Sequence, residues 1–412
     1  MEYFRHTLSN GIRIIHKQSP GKIIHLGLMI NAGSRDEQPQ ESGIAHFIEH
    51  TIFKGTVKRK SIHILNRLEN VGGELNAFTT KEETCIYASV LLPYFERAVE
   101  LVADISQNSI FPEHELEKEK DVVIDEINSY KDNPSEEIFD EIENYVFENH
   151  PLGKNILGSP ESVKAISRED IFGFIQRNYH SDQMVLCSVG NISNTKVLKQ
   201  FQHYFGTLKS SEKAETRSSF KDYQPKNIVL EKGIHQAHCI LANEVYGKNH
   251  KNRAALILLN NILGGPGLNS RLNLGIREKY GFCYNIESSF TQFNETGILT
   301  IYMGTDIEYL DKTIKLAKKE LNRLRENSLG SLQLHYAKQQ IIGQTALFQE
   351  SNLNEMLALG KSILAYDKVD TDEEIAQKIQ QISAENLIEV ANEIFAPEKL
   401  SSLIYTTKNG IY

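Results

Sequence analysis

The sequence predicts an α+β protein built as two homologous α/β sandwich domains, and three observations carry that expectation. A chain of 412 residues is too long for one ordinary core, so two or three domains are expected and two fit best. Hairpin-like strands come in clusters followed by runs of helices, the order of an α+β sandwich rather than of a doubly wound sheet. The same series of elements recurs in the second half.

Taken in order, the apolar stretch 11–15 reads as a first strand and 23–30 as a second. An apolar helix follows around Ile44, Ala45, Phe47, Ile48, Ile52 and Phe53. Residues 85–91 are strand-like, and 93–107 reads as a helix. Residues 113–127 carry Leu116, Val123, Ile124 and Ile127 along one side, which is one stripe of a helix. A further helix is expected over 161–178. The stretch 210–219 is polar, small and without apolar periodicity, so it reads as a linker. The expected division is 1–210, a linker at 211–222, and a repeat domain at 223–412. The clearest trace of the repeat lies in the helices, where a shift of 218 carries Leu116 onto Leu334 and Glu126 onto Gln344. The apparent counterpart of the first apolar helix lies at 256–261, followed by Leu263-Gly264-Gly265-Pro266-Gly267. That glycine run lacks the Lys-Ser/Thr ending of a phosphate loop and follows a helix, so it reads as a turn or as a loop that lets a peptide approach the backbone.

The chemistry concentrates in His46-Phe47-Ile48-Glu49-His50. Residues four apart share a helix face, so His46 and His50 can reach one cation while Glu49 points at the position the protein leaves open. A single His on an apolar helix is usually a hydrogen-bonded core residue. Two of them beside a carboxylate are costly to bury without a partner, and a metal supplies one. The order His-x-x-Glu-His is the inverted zinc-peptidase motif. A zinc site needs a third ligand, commonly a Glu from another helix. Glu119 and Glu126 lie seven apart on one side of the helix at 113–127, and composition alone cannot choose between them.

With these residues in place the chain resembles the pitrilysin family of inverzincin metallopeptidases, in particular its short bacterial branch similar to the mitochondrial processing peptidase. Glu126 falls 76 residues after His50, in the phrase Val122-Val123-Ile124-Asp125-Glu126-Ile127, where that family carries its third ligand. The resemblance implies that His46, His50 and Glu126 bind Zn2+, that Glu49 is the general base, and that Glu119 supports the ligands from outside. Gly72 to Thr80 resembles the family's active-site edge strand, which implies main-chain pairing of a peptide along Asn76, Ala77 and Phe78. Arg277-Glu278-Lys279-Tyr280-Gly281-Phe282-Cys283-Tyr284 resembles the segment where the family keeps an Arg and a Tyr, which implies that Arg277 and Tyr284 stabilise the oxyanion or grip the substrate. The implied fold is the processing-peptidase-like metallohydrolase fold, with a catalytic first half and an inert second half. The implied activity is that of a zinc-dependent endopeptidase acting on peptides or flexible protein segments through a zinc-activated water.

Composition narrows the partners. A net charge of −9 argues against nucleic acid and suits peptides carrying basic residues. No window is long and apolar enough for a membrane span. Cys85, Cys187, Cys239 and Cys283 stand singly in apolar surroundings, as reduced core thiols do. The first residues carry neither signal-peptide nor transit-peptide character, and the expected location is cytoplasmic. A chain half the size of the family's single-chain clamshells is expected to pair as a homodimer. The competing classes are a non-catalytic scaffold subunit, which would have lost ligands, and a metal-dependent hydrolase with a non-peptide substrate.

Overall fold

The computed structural model describes residues 3–213 and 216–407. In chain order the elements are β1 (Phe4–Thr7), β2 (Arg13–Gln18), β3 (Ile23–Ile30), α1 (Ile44–Thr51), α2 (Ser61–Glu69), β4 (Glu74–Thr79), β5 (Thr84–Leu91), α3 (Phe95–Asn108), α4 (Glu113–Lys131) and α5 (Pro134–Val146). They continue as α6 (Pro160–Ala165), α7 (Arg168–Asn178), β6 (Met184–Gly190), α8 (Asn194–Phe205), β7 (Asn227–Lys232), β8 (Ala237–Tyr246), α9 (Arg253–Gly264), β9 (Cys283–Gln292) and β10 (Thr296–Thr305). The chain ends with α10 (Leu310–Glu326), α11 (Ser331–Gln349), α12 (Asn352–Tyr366), α13 (Asp372–Gln380), α14 (Ala384–Ile394) and β11 (Ser401–Thr407).

The strands form two sheets, β1-β2-β6-β3-β5-β4 and β7-β11-β8-β10-β9. Each is antiparallel except for one parallel pair, β2 with β6 and β7 with β11. From β2 onward the two orders match strand for strand, so the repeat expected from the helices holds for the sheets as well. The offset of 218 fits the helices closely: α4 and α11 are both 19 residues long, and Glu113–Lys131 maps onto Ser331–Gln349.

The chain folds into two compact units, each discontinuous in sequence. The first comprises Met1–Asn128, Lys154–Ser218 and Ala346–Val369; the second comprises Ser129–Gly153, Ser219–Thr345 and Asp370–Tyr412. The junction at Ser218 falls inside the expected linker, whose Ala214 and Glu215 lie outside the described residues. Residues 129–153 and 346–369 each join the unit built mainly from the other half of the sequence, which a simple two-part division does not provide.

In the first unit β3 is buried on both faces. Leu26, Leu28 and Ile30 enter a core shared with Ile44, Phe47 and Ile48 of α1 and with α3, while Met29 on the opposite face meets Cys85, Cys187, Met356, Leu359 and Ile363. The helix on that second face is α12. It approaches closely because Gly360 has no side chain; a Cβ there would lie 2.9 Å from both Cys187 Sγ and Met29 Cγ. The second unit is built the same way, with Ile138, Ile142 and Val146 of α5 packed on Ile240, Ile298, Leu403 and Tyr405. All four cysteines are buried and unpaired, matching the expectation of core thiols.

The helix expected over 161–178 is two helices. Ile166 leaves helical conformation with ψ 121, and Ser167 opens α7 with a capping box: its hydroxyl accepts from Asp170 N at 3.2 Å, and its own N donates to Asp170 Oδ2 at 2.9 Å. The polar stretch read as a linker is also fastened down. Arg217 Nη2 lies 2.7 Å and Lys213 Nζ 2.8 Å from the carboxylate of buried Asp36.

Candidate metal centre

The site starts from α1, whose sequence is Ile-Ala-His-Phe-Ile-Glu-His-Thr. Ile44, Ala45, Phe47 and Ile48 are buried and anchor the helix in the core, which leaves His46, Glu49 and His50 on the remaining side. Gly43 precedes the helix at φ 91, a left-handed conformation that glycine adopts without cost, and a Cβ there would lie 2.7 Å from the Leu157 carbonyl oxygen. The Glu37 carboxylate then satisfies two of the free donors at the helix start, accepting from Gly43 N and from Ala45 N, each at 3.0 Å. Burial pushes the Glu37 carboxyl up to about 8, while these two N–H bonds, with Lys154 and Lys81 nearby, pull the other way.

On α4, apolar residues Leu116, Val123 and Ile127 bind the helix to the same core and turn Glu119 and Glu126 toward α1. His46 Nε2 lies 3.7 Å and His50 Nε2 3.3 Å from Glu126 Oε2. The candidate ligand atoms of His46, His50 and Glu126 all lie within 4.8 Å of one another. Among the described residues no other group of this kind occurs.

Glu119 does something different. Its Oε1 accepts from His50 Nδ1 at 3.1 Å, and its Oε2 pairs with Lys54 Nζ at 2.6 Å. Burial raises the Glu119 carboxyl, but the hydrogen bonds from His50 and Lys54 outweigh it and hold it below its ordinary value. Burial likewise lowers His50, yet the bond to Glu119 and the charges of Glu126, Glu119 and Glu49 leave it raised. His46 is pushed down to about 4, first by burial and then by His50. Its ring is therefore neutral at neutral pH, with a lone pair available.

These donors fit a zinc ion. With Nδ1–H of His50 given to Glu119, its Nε2 lone pair faces a carboxylate oxygen at 3.3 Å, and a neutral His46 adds a third acceptor. Two imidazole nitrogens and a carboxylate oxygen gathered this closely are a donor set that suits a shared cation. A tetrahedral zinc with N and O ligands at about 2.0–2.1 Å sets neighbouring donors roughly 3.3 Å apart. A carboxylate holding the other nitrogen of a ligating His is the usual supporting contact.

Glu49 stands on the same helix, half-buried. Burial raises its carboxyl, opposed by hydrogen bonds from the side chain and backbone of Thr79 at the end of β4. β4 is the edge strand of the first sheet. Asn76, Ala77 and Phe78 pair with Tyr87, Ile86 and Cys85 of β5, and no described strand lies against the outer side of β4. Their side chains alternate: Ala77 packs into the α1 core, whereas Phe78 lies tilted beside Tyr87 under Lys361 on the α12 face. What the three share is the main-chain edge. Arg277 and Tyr284 belong to the second unit. Arg277 lies in a π-helical turn over Asn273–Glu278, its Nη1 donating to Asn273 Oδ1 at 3.3 Å, and Tyr284 is 78% exposed on edge strand β9.

Sequence reasoning missed Lys54 and Glu37. Lys54 carries a usable signal, since it follows His50 by four residues. Glu37 carries none, because it reaches the helix across a loop rather than from the position next to it.

The fold agrees with the comparisons to known proteins. Residues 13–160 match the family model for insulinase (peptidase family M16), and residues 165–341 match the model for the peptidase M16 inactive domain. The chain is 33% identical over 406 residues to an uncharacterized zinc protease of Bacillus subtilis, covering 98% of both chains. It is 32% identical over 398 residues to an uncharacterized zinc protease of Rickettsia felis, covering 96% of both. Among solved structures it superposes on a peptidase M16 inactive domain protein from Pseudomonas fluorescens with a TM-score of 0.93 at 20% identity over the full length of both chains. A protease from Helicobacter pylori gives 0.89 at 22% identity over 98% of this chain and 99% of that one. The chain belongs to peptidase family M16. No described helix is long and apolar enough to cross a membrane.

Proposed function

We propose that this protein is a zinc-dependent endopeptidase that hydrolyses peptides or flexible protein segments, with Glu49 as general base. The observation that carries the reading is the group of His46, His50 and Glu126 within 4.8 Å, with Glu49 on the same helix. Zinc held there supplies a Lewis acid that makes water nucleophilic near neutral pH and polarises the scissile carbonyl. Glu49, whose carboxyl burial has raised, accepts the proton of the attacking water and passes it to the leaving amine. Glu119 keeps the Nδ1 proton of His50 in place so that Nε2 stays free as a ligand.

The substrate lies along the outer side of β4 by main-chain pairing at Asn76, Ala77 and Phe78. The open edge supports this, as does the absence of a shared side-chain face among the three. An extended segment is what such an edge accepts, so unfolded peptides and flexible termini are the substrates. Arg277 and Tyr284 serve the oxyanion or the substrate backbone, a role supported by the exposure of Tyr284 on its edge strand. A homodimer in the cytoplasm completes the reading; the four buried, unpaired cysteines suit a reducing compartment.

The test is Glu49→Gln on a quenched, unstructured peptide. The amide keeps the shape but cannot take a proton, so zinc content stays at that of wild type while cleavage is lost. Cleavage at the wild-type rate by Glu49→Gln would remove Glu49 from the mechanism.

A further inference from the structure

We infer that Glu37 is a positioning residue for the metal centre: it fixes the first turn of α1, and through that turn the place of His46. The inference rests on the zinc reading above and goes beyond it by naming a residue remote from the ligands.

The first N–H groups of an α-helix have no partner inside it, and α1 is only eight residues long, so its first turn is half of the helix. That turn carries His46. The last turn carries Glu49 and His50 and is held by the Glu119 bond on one side and by Thr79 on the other, the Thr79 hydroxyl reaching the first turn only through a long contact of 3.5 Å to the Ala45 carbonyl. His46 has no comparable tether. Its Nδ1 is buried and has no hydrogen-bond partner among the described residues. The position of His46 therefore depends on how the helix begins.

The helix begins on Glu37. One oxygen takes the N–H of Gly43 and the other that of Ala45, while Ile44 N donates to the Glu41 carbonyl at 2.9 Å. Glu37 is itself 94% buried and sits on a segment tied at several points. Ser34 N and Arg35 N donate to the carbonyls of Thr80 and Lys81, at 3.1 and 2.8 Å. The next residue back, Asp36, is held by Arg217 and Lys213. Glu37 is thus a fixed post rather than a mobile side chain that settles on the helix. Both of its oxygens are needed, since an amide offers one acceptor where the carboxyl offers two. Whatever its protonation, Gln at this position leaves one of the two N–H groups facing an NH2 group.

The consequence is selective. Loosening the first turn displaces one ligand of three and leaves the general base and the second His where they are. Glu37→Gln should therefore weaken zinc binding about fivefold, the size of effect that losing one hydrogen bond at a helix start carries. With zinc in excess, kcat on the quenched peptide should return to near the wild-type value, because the ligand set is complete once occupied. Thr371→Ala is the control for plain destabilisation. It removes a helix cap in the second unit, where the Thr371 hydroxyl accepts from Glu374 N at 3.2 Å, and should lower the melting temperature without changing zinc affinity.

The experiment is chelator competition for zinc on wild type, Glu37→Gln, Glu37→Asp and Thr371→Ala, with kcat measured at saturating zinc. The expected result is weaker zinc binding in the Glu37 variants only, with kcat recovered; Glu37→Asp keeps two acceptors on a shorter arm and should fall between Gln and wild type. If Glu37→Gln fails to fold, Glu37→Asp carries the comparison alone. Zinc affinity within twofold of wild type in a folded Glu37 variant overturns the inference. So does an equal loss of affinity in Thr371→Ala. A wild-type protein that binds no zinc overturns the functional reading instead, and the two failures are told apart in the same titration.

Discussion

Removing the carboxylate of Glu119 should weaken zinc binding without touching a ligand. The structure gives Glu119 two hydrogen-bonding partners, His50 Nδ1 at 3.1 Å and Lys54 Nζ at 2.6 Å, and leaves it 8% exposed, so little water can take over its role. In Glu119→Gln the amide oxygen can still accept from His50, but the charge that makes the imidazole a better donor to the metal is gone. In Glu119→Ala the proton on Nδ1 has no acceptor and the ring is free to turn. Supporting contacts of this kind are worth 10- to 100-fold in metal affinity, so about tenfold is expected for Gln and about 100-fold for Ala, or roughly 1.4 and 2.7 kcal/mol. Lys54→Met leaves the Glu119–His50 bond in place and should change affinity far less than either. The assay is competition with a chelator of known affinity, read as free zinc at equilibrium, with circular dichroism confirming the fold of each variant. A folded Glu119→Ala protein that binds zinc within about twofold of wild type would refute the supporting role, since that lies well below the expected range.

Further expectations follow from other parts of the molecule. Glu126→Gln should lose zinc where Glu49→Gln keeps it, as measured by metal content after desalting; equal zinc content in the two would mean that the assigned division between base and ligand is wrong. Met356→Ala should cost about 2–5 kcal/mol in urea denaturation, because Met356 is fully buried between α12 and the sheet; a loss below 1 kcal/mol would mean that α12 is loosely held. For Asp36, burial alone would raise the carboxyl, but the hydrogen bond and charge of Arg217, and those of Lys213, bring it below 3.8. Its contribution to stability is therefore present above pH 3.8 and lost as pH falls through the folded value, so Asp36→Asn should be less stable than wild type at neutral pH and flatten the acid limb of a melting-temperature titration. An unchanged acid limb would remove Asp36 from it. Sedimentation should find a homodimer, and an active monomer at working concentration would contradict that expectation.

Much of the fold was legible because its signals are local. The apolar stripe of α4 and the offset of 218 both follow from side-chain periodicity: Leu116, Val123 and Ile127 of the stripe are buried, and the offset carries α4 onto α11 end to end. The interruption between α6 and α7 was missed because Ser167 and Asp170 look like ordinary polar positions on a helix until their capping box is seen. The exchange of 129–153 and 346–369 between the two units was not legible at all. An amphipathic helix records that it has an apolar face but not which sheet that face meets, and α5 and α12 each fit a sheet assembled from distant sequence. At the site, the three donors share a motif and a family spacing and so could be proposed from sequence. Glu37 could not, because a side chain that caps a helix from six and eight residues away leaves no repeating pattern.

If zinc at His46, His50 and Glu126 makes this chain a peptidase, a metal titration of the stripped protein will show it. Protein freed of metal and assayed on the quenched peptide should be inactive, and activity should rise with added zinc and level off at one equivalent per chain. Metal-free protein that cleaves the peptide as fast as the reloaded protein would contradict it.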